Sequence, residues 1–429
     1  MARVMKDSGV AWIGCIPATW TVGRIGQLYT ERKEKVSDTE FQPLSVTMKG
    51  VLPQLSTAAK TDAHDDRKLV RKGDFAINSR SDRRGSCGIS PLDGSVSLIN
   101  TILTPRDEMH PGYYDWLFHS TMFSDEFYKW GHGIVDDLWT TNWQDMKSIL
   151  VPTPPLPEQS RIAAFLDRRC AEIDRVIAAT QSTIEEYKKL KQSIITEAVT
   201  RGVRGPRKMK DSGVEWIGEI PEEWRTAKLK YFASIRSGIT LGKVYPTGTE
   251  LFEFPYLRVA NVQGGHVKLD DIATIMVTKE ESVKYRLQAG ELLMTEGGDR
   301  DKLGRGTVWH GEIEPCLHQN HVFALNSNSH RLIAEYIEYL STSFVGRDYF
   351  DVTANQSVHL ASTNSTTILN FTIPYPNIDE QIEIVTFLNS RCTHIEQMIE
   401  AKQRLLVELE SYKKSVIYEY VTGKKEAQQ

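Results

Sequence analysis

The sequence predicts an α+β protein: two mixed α/β domains separated by two long antiparallel helices, arranged as a pseudo-twofold internal repeat. Three observations predict it. A chain of 429 residues, 40% hydrophobic and 25% charged, is too long for one ordinary domain and suits two or three globular ones. The chain also repeats itself. Residues 5–20 (MKDSGVAWIGCIPATW) match residues 209–224 (MKDSGVEWIGEIPEEW) at twelve of sixteen positions, offset by 204. Pro154, Glu158, Gln159, Leu166 and Cys170 recur as Pro376, Glu380, Gln381, Leu388 and Cys392, offset by 222, as does Thr141-Asn142 in Thr363-Asn364. Finally, the hydrophobic period changes along the chain, from short strand-like runs to steps of three and four.

Residues 1–155 open with the first repeated motif and continue as short apolar runs broken by Gly, Pro and Asn. Such runs read as strands, with Phe75-Ala76-Ile77 and Ser97-Leu98-Ile99 among them. A helical piece is expected near Tyr113–Lys129. Residues 156–203 carry Ile162, Phe165, Leu166, Ile173, Ile177 and Ile184 at helical spacing, with Pro157 in the first turn and Gly202 as the stop. Residues 204–377 return to strand-like runs at Tyr256–Val259, Leu292–Met294 and Val322–Leu325, with a helical piece near Arg331–Ser341. Residues 378–429 repeat the long helix and stop at Gly423. A helix of about 43 residues spans roughly 60 Å and cannot bury its stripe on itself. Two copies can pair as an antiparallel coiled coil, with Thr180 and Lys402 as polar seam residues helping to fix register. The alternative is two local bundle helices inside separate domains.

The blocks at about 21–140 and 225–362 differ in length by 18 residues and look much less alike than their flanks. A faint echo joins Lys72–Asn78 to Ala289–Thr295. Similar flanks around dissimilar blocks point to one scaffold carrying two different readers.

Composition narrows the chemistry. Net charge is −4, so any nucleic-acid contact must be local. Residues 201–210 and 225–245 each carry five basic residues and no acid; a solvated face is the plainer reading of either run. No apolar run is long enough to span a membrane, the N-terminus is too polar for a secretory signal, and five scattered cysteines suit a reducing cytoplasm. The segment 237–244 lacks the leading glycine and trailing Ser/Thr of a phosphate-binding loop. No dinucleotide fingerprint, methyltransferase Asp/Asn-Pro-Pro-Tyr run, H-E-x-x-H or G-x-S-x-G occurs. Cys316, His318 and His321 lack a fourth ligand and the usual paired spacing, so loop or core roles are expected for them rather than zinc. Asp299 and Asp301, flanking Arg300, read as a turn, and Glu158 and Glu380 as helix-start caps. No catalytic constellation emerges.

The MKDSGVEWIGEIPEEW opening, the PLPEQSRIAAFLD helix start and the doubled layout resemble the specificity subunits of type I restriction–modification enzymes. The resemblance covers essentially the whole chain. It implies a non-catalytic, cytoplasmic DNA-binding subunit. Residues 1–155 and 204–377 would be target-recognition domains, each reading one half of a split double-stranded DNA site. Residues 156–203 and 378–429 would form the spacer that sets the gap and docks two methyltransferase subunits. S-adenosylmethionine chemistry would belong to those subunits, and ATP and magnesium to restriction subunits, with no cofactor in this chain. From residue type and loop context, Asn78, Arg80, Arg83 and Arg84 are the DNA-contact candidates in the first domain. Those in the second are Arg236, Thr240, Lys243, Arg300, Lys302, Arg305, Gln319 and Asn320. Arg201, Arg204, Arg207 and Lys208 are expected to meet phosphate or a partner. The rival readings are a nuclease or methyltransferase with an unrecognised active site, and a helical scaffold with no DNA role.

Overall fold

The computed structural model describes residues 3–55, 66–133, 139–298, 303–356 and 361–427. The chain divides into two compact units: Met1–Gln181 with Gln403–Gln429, and Ser182–Lys402. The long helices are Leu156–Arg201 and Ile378–Val421. Each contributes one part to each unit, and its ends pack into the cores of those units. Among the described residues, no helix is long and apolar enough to cross a membrane.

In the first unit, an antiparallel sheet runs in the order Cys87–Ile89, Phe75–Asn78, Asn100–Pro105, Tyr29–Glu31. Helices Pro111–Phe118 and Thr121–Lys129 pack on it through Tyr114, Phe118 and Phe123, with Phe118 and Phe75 ring centroids 5.0 Å apart. Ser120 caps the second of these helices, accepting from the Phe123 amide. Ser97-Leu98-Ile99 is not a strand. It turns the chain between Gly94–Ser97 and Asn100–Pro105, closed by the Asn100 side-chain Nδ2 donating to the Ser97 carbonyl (3.0 Å), with Leu98 out in solvent.

The second unit repeats this frame. Its sheet runs Gly306–Val308, Leu292–Thr295, Val322–Ser327, Ala233–Ser237, again antiparallel. The helical piece expected near Arg331–Ser341 becomes two helices, Ala334–Thr342 and Phe344–Val352, with Ser343 capping the second. The echo between Lys72–Asn78 and Ala289–Thr295 is the same strand in the two sheets. Gly73 and Gly290 turn into it with φ near +90°, a region that favours glycine. Asn142 and Asn364 cap matching short helices, Trp143–Met146 and Ser365–Asn370.

The units differ in what hangs on the frame. The first carries a separate hairpin, Leu44–Thr47 with Gly50–Pro53, and a small sheet of Gly94–Ser97, Arg67–Val70 and Lys35–Val36. The second carries Phe252–Leu257 between Ala273–Val277 and Leu317–His318. The weak sequence likeness of the variable blocks therefore hides a shared sheet with different additions.

In each unit the two long helices run antiparallel. In the first, Phe165 stacks on Tyr420 at 4.3 Å, and farther along Asp174 meets Lys413 at 2.7 Å, so one number rises as the other falls. In the second, Ile195, Ala198 and Val199 share a core with Ile384, Leu388 and Cys392. Thr180 is buried, but its hydroxyl donates to the Val176 carbonyl of its own helix (2.8 Å), so it does not fix register by bonding across the seam.

The repeated motifs meet where a helix begins. Glu158 accepts from the Trp20 indole N–H (2.8 Å) and pairs with Arg3, whose guanidinium lies over the Trp20 ring. Glu380 accepts from Trp224 (2.9 Å) and pairs with Arg207, which lies over Trp224 in the same way. The expected capping role for Glu158 and Glu380 is corrected: their carboxylates bind side chains from the repeated N-terminal motif. Gln159 and Gln381 extend the arrangement, each donating to a proline carbonyl, of Pro154 and Pro376, and accepting from the amide of His110 or Ile333. Buried Tyr113 donates to the Val421 carbonyl (2.7 Å), and Tyr336 donates between the carbonyls of Val199 and Pro374, so the end of the other helix is tied in as well.

Glu380 is 1% exposed, so removing it leaves the buried Trp224 N–H without its acceptor and Arg207 with Glu223 as its remaining carboxylate. Glu380→Ala is expected to cost the second unit about 1–3 kcal/mol in urea denaturation. Glu383→Ala breaks only the exposed Arg204 pair and should cost at most about 1 kcal/mol. Equal losses would remove the special role of Glu380.

Candidate nucleic-acid interface

In the first unit the hairpin Leu44–Pro53 faces the loop that follows strand Phe75–Asn78, with an open pocket of mixed polar and apolar lining, about 790 Å³, between them. The Asn78 carboxamide accepts from the Arg80 amide and starts a short turn, Ser81–Arg83. The Tyr128 hydroxyl holds that turn from behind, within reach of the Asn78 and Arg83 carbonyls, and burial raises its pKa. Arg80 and Arg83 share Asp82, at 3.2 and 3.8 Å. Arg84 meets Asp125 at 3.2 Å and lies over the Tyr128 ring. These pairs are solvent-exposed and therefore weak, so the guanidinium groups can exchange onto an anion. Asn78, Arg83 and Arg84 line the pocket, while Arg80 sits behind its loop.

Sequence reasoning missed the hairpin and the pocket floor. Lys49 and Met48 form the hairpin tip, both exposed, and Lys49-Gly50 between two short apolar runs was the available signal. Arg67 and Asn100 line the floor and are 6% and 5% exposed. No pattern in the sequence marks them, because both sit on strands whose other side chains are core. The charged residues lining the pocket are Lys49, Arg67, Arg83, Arg84 and Asp82: four cations and one carboxylate in a chain of net charge −4.

In the second unit the backbone brings Thr240, Gln319 and Asn320 together. Ile239 bridges to Gln319, and the Asn320 amide donates to the Ile239 carbonyl (3.0 Å). Only glycine fits at 238: a Cβ there would stand 1.9 Å from the His318 carbonyl. Gln319 accepts from the Val259 amide at 3.4 Å. Lys243 pairs with Glu281 beside Tyr245. Arg305 opens onto a separate groove of about 730 Å³ that includes Glu338, His310 and Lys188. Burial lifts the Glu338 carboxyl to about 7. Arg300 and Lys302, with Asp299 and Asp301, lie outside the described residues.

Arg236 is otherwise engaged. Its guanidinium grips buried Glu291 through two bonds, 2.6 and 3.1 Å, and donates to the carbonyls of Lys284 and Arg286. The first unit has the same fork in Arg32 and Asp74, at 2.6 and 3.1 Å. The sheet register makes the two forks counterparts, and each carboxylate also accepts the amide three residues before it, Arg71 or Gln288. Arg236 thus holds the sheet edge.

The basic run 201–210 is also largely tied down. Arg201 is 3.7 Å from Glu219, Arg204 grips Glu383 at 2.7 and 2.8 Å, and Arg207 is held by Glu380 and Glu223. Lys208 points to solvent. Arg3, the counterpart of Arg207 at the same 204 offset, could have been found by extending the repeat two residues upstream.

Cys316 and His318 are core residues, and His321 sits at the surface on Glu296. Burial pushes the Cys316 thiol to about 12. His318 Nδ1 is 2.6 Å from the Val322 carbonyl, so it carries the proton, leaving Nε2 to accept from Arg236 at 3.3 Å. Burial, with the Arg236 charge adding to it, lowers this imidazole to about 4. Among the described residues, no group of three or more His, Cys, Asp or Glu is arranged to hold a metal.

The frame and its two sites define a class: one chain carrying two related but differently equipped domains on shared helices. Comparison with known proteins gives the class named relatives. No family model matches the chain. Over 175 residues, 40% of each chain, it is 27% identical to the putative type I restriction enzyme MjaX specificity subunit of Methanocaldococcus jannaschii. It is 25% identical to the MjaVIII specificity subunit of the same organism, over 95% of this chain and 93% of that one. The EcoKI specificity subunit of Escherichia coli is 23% identical, over 79% and 70%. A solved chain from work on complex assembly and conformational transition of the type I R-M system has the same fold, with a TM-score of 0.71 at 16% identity, covering 96% of this chain and 99% of that one. The HsdS subunit of Thermoanaerobacter tengcongensis gives 0.51 at 18%, covering 96% and 98%. The chain is thus similar in sequence to specificity subunits of type I restriction enzymes, over 95% of its length in one case, and shares the fold of the two solved chains.

His318 yields a pH prediction. Its folded pKa is about 4, below the ordinary 6.5, so the unfolded chain takes up the proton first as pH falls. The stability it contributes is complete above pH 6.5 and is lost progressively down to pH 4, by on the order of 3 kcal/mol. Urea denaturation of His318→Gln at pH 7 and pH 4.5 should give a smaller acid loss than the parent; an equal loss would mean that other groups carry it.

Proposed function

We propose that the chain selects a split DNA target for a type I restriction–modification complex. Residues 1–155 read one half, residues 204–377 read the other, and the helices 156–203 and 378–429 set the gap and dock two methyltransferase subunits. The observation that carries this reading is the duplicated frame: equivalent sheets and helix junctions hold two dissimilar surfaces. Two unlike readers in one chain recognise an asymmetric, bipartite site.

Asn78, Arg83 and Arg84 are the contact set around the first pocket, with Arg80 shaping the loop behind it. Thr240, Lys243, Gln319 and Asn320 form the set in the second domain, with Arg305 on its neighbouring groove. Long polar side chains of these types reach base edges and phosphates. Arg201, Arg204 and Lys208 are the candidates for phosphate or partner contact, since the Arg204–Glu383 pair is exposed. Arg207 and Arg236 serve the frame, because their forks are already filled by buried carboxylates. The chain contributes binding and position. Methyl transfer from S-adenosylmethionine falls to the methyltransferase subunits, and ATP- and magnesium-dependent steps to restriction subunits.

Co-expression with the neighbouring methyltransferase gene, followed by mapping of methylated adenines across host DNA, tests the reading. A split motif with two unrelated halves is expected, and exchanging residues 21–140 should change one half only. Methylation that is absent, or unchanged without this chain, would favour the scaffold reading instead.

A second test addresses the spacer. One heptad inserted in each long helix lengthens both by about 10 Å, equivalent to about 3 base pairs. The gap should lengthen by that amount with both halves of the motif intact. An unchanged gap would separate the helices from spacing.

A further inference from the structure

The two helix junctions are built alike, and one position separates them. In the first unit Phe165, near the start of one long helix, carries the Tyr420 ring of the other stacked on it, with centroids 4.3 Å apart. At the offset of 222, Phe165 corresponds to Phe387 and Tyr420 to Ala198. The second unit therefore keeps one ring of the stack and has a methyl group in place of the other. Phe387 there lines an open groove of about 630 Å³, whose apolar wall is completed by Ile194, Ala198, Val203, Pro206 and Met209. Ala198 is buried, so its methyl lies at the bottom of the groove. Arg391 lies 5.6 Å over the Phe387 ring but does not line the groove. Of the two arginines that do, Arg207 is held by Glu380 and Glu223. Arg201 is exposed, and its pair with exposed Glu219 at 3.7 Å is weak enough to exchange.

We propose that this groove seats an aromatic side chain of a methyltransferase subunit, in the place that Tyr420 fills in the first unit, with a carboxylate of that subunit on Arg201. The first unit shows the chemistry of the occupant, because its copy of the site is covered by a ring stacked on the phenylalanine. A stacked aromatic pair contributes beyond the apolar area it buries. Aromatic anchors in such pockets also carry much of the binding energy of protein interfaces. The inference rests on the reading of the chain as a specificity subunit that docks two methyltransferase subunits. It names where one of them is held: at the second junction, by a ring that the chain supplies for itself at the first. The two docking positions are then unlike, although the frame is duplicated.

The test counts methyltransferase subunits on the full chain by native mass spectrometry over a concentration series, without DNA, for the parent, Ala198→Tyr and Arg201→Glu. Two subunits on the parent check the functional reading by themselves. Ala198→Tyr gives the second unit the ring of the first and fills the groove. It should weaken one of the two subunits at least about 10-fold and leave the other unchanged. Arg201→Glu changes an exposed side chain and sets a like charge against the incoming carboxylate, so it should weaken the same subunit at least about 10-fold. With DNA absent, loss of a phosphate contact at Arg201 does not move this readout. If Ala198→Tyr fails to fold, Arg201→Glu decides. A parent with two subunits and both variants within twofold of it, or with both subunits weakened equally, would overturn the groove and leave the specificity reading standing. A parent that binds no methyltransferase subunit would remove both.

Discussion

The structure depends on a buried carboxylate at the start of each long helix. Glu158 and Glu380 each bind an indole N–H and a guanidinium that lies over the same indole. A buried charge is costly unless it is paired and hydrogen-bonded, and here it is both. Three pieces of chain must meet to satisfy it: the helix start, the repeated N-terminal motif, and the arginine that precedes that motif. With the tyrosine that holds the end of the other helix, the site fixes the point where each domain joins its helices. This explains why these short segments stay nearly identical while the blocks between them diverge.

A second duplicated ion pair fixes the domain interior. Arg32–Asp74 and Arg236–Glu291 occupy the same point of the two sheets, each carboxylate also closing the turn before its strand. The pair locks the sheet edge to the turn without reference to the sequence of the loops beyond. One domain can then carry a hairpin over its sheet and the other a three-stranded addition. Stability and recognition are assigned to different residues, which is what lets two readers share one frame.

Much of this was legible in the sequence. The offsets of 204 and 222 gave the repeat, helical spacing gave both long helices within two residues, and the echo at Lys72 and Ala289 located a shared strand. Charge type, however, could not separate architecture from recognition. Arg207 and Arg236 look like Arg83 and Arg84 in sequence, and only burial beside a carboxylate distinguishes them. Asn100 was invisible for a related reason. It sits in a strand beside a turn, and only the fold brings its side chain to the pocket wall. Ser97-Leu98-Ile99 misread as a strand because an exposed leucine at a turn has the composition of one in a core.

The exposure of the ion pairs also bears on the proposal that a chain of net charge −4 meets DNA. Exposed pairs such as Arg83–Asp82 and Arg84–Asp125 contribute little, since water screens them and long side chains lose freedom to form them. A phosphate can replace the carboxylate at small cost. Arg207, 14% exposed and stacked on Trp224, has no such freedom. On the proposed reading, the cations that matter to a nucleic acid are those with loose partners, and they gather around the first pocket even though the whole chain carries −4. Net charge describes how the protein behaves at long range. Recognition depends on which charges the fold has left unoccupied, and the fold makes that choice through the carboxylates it buries.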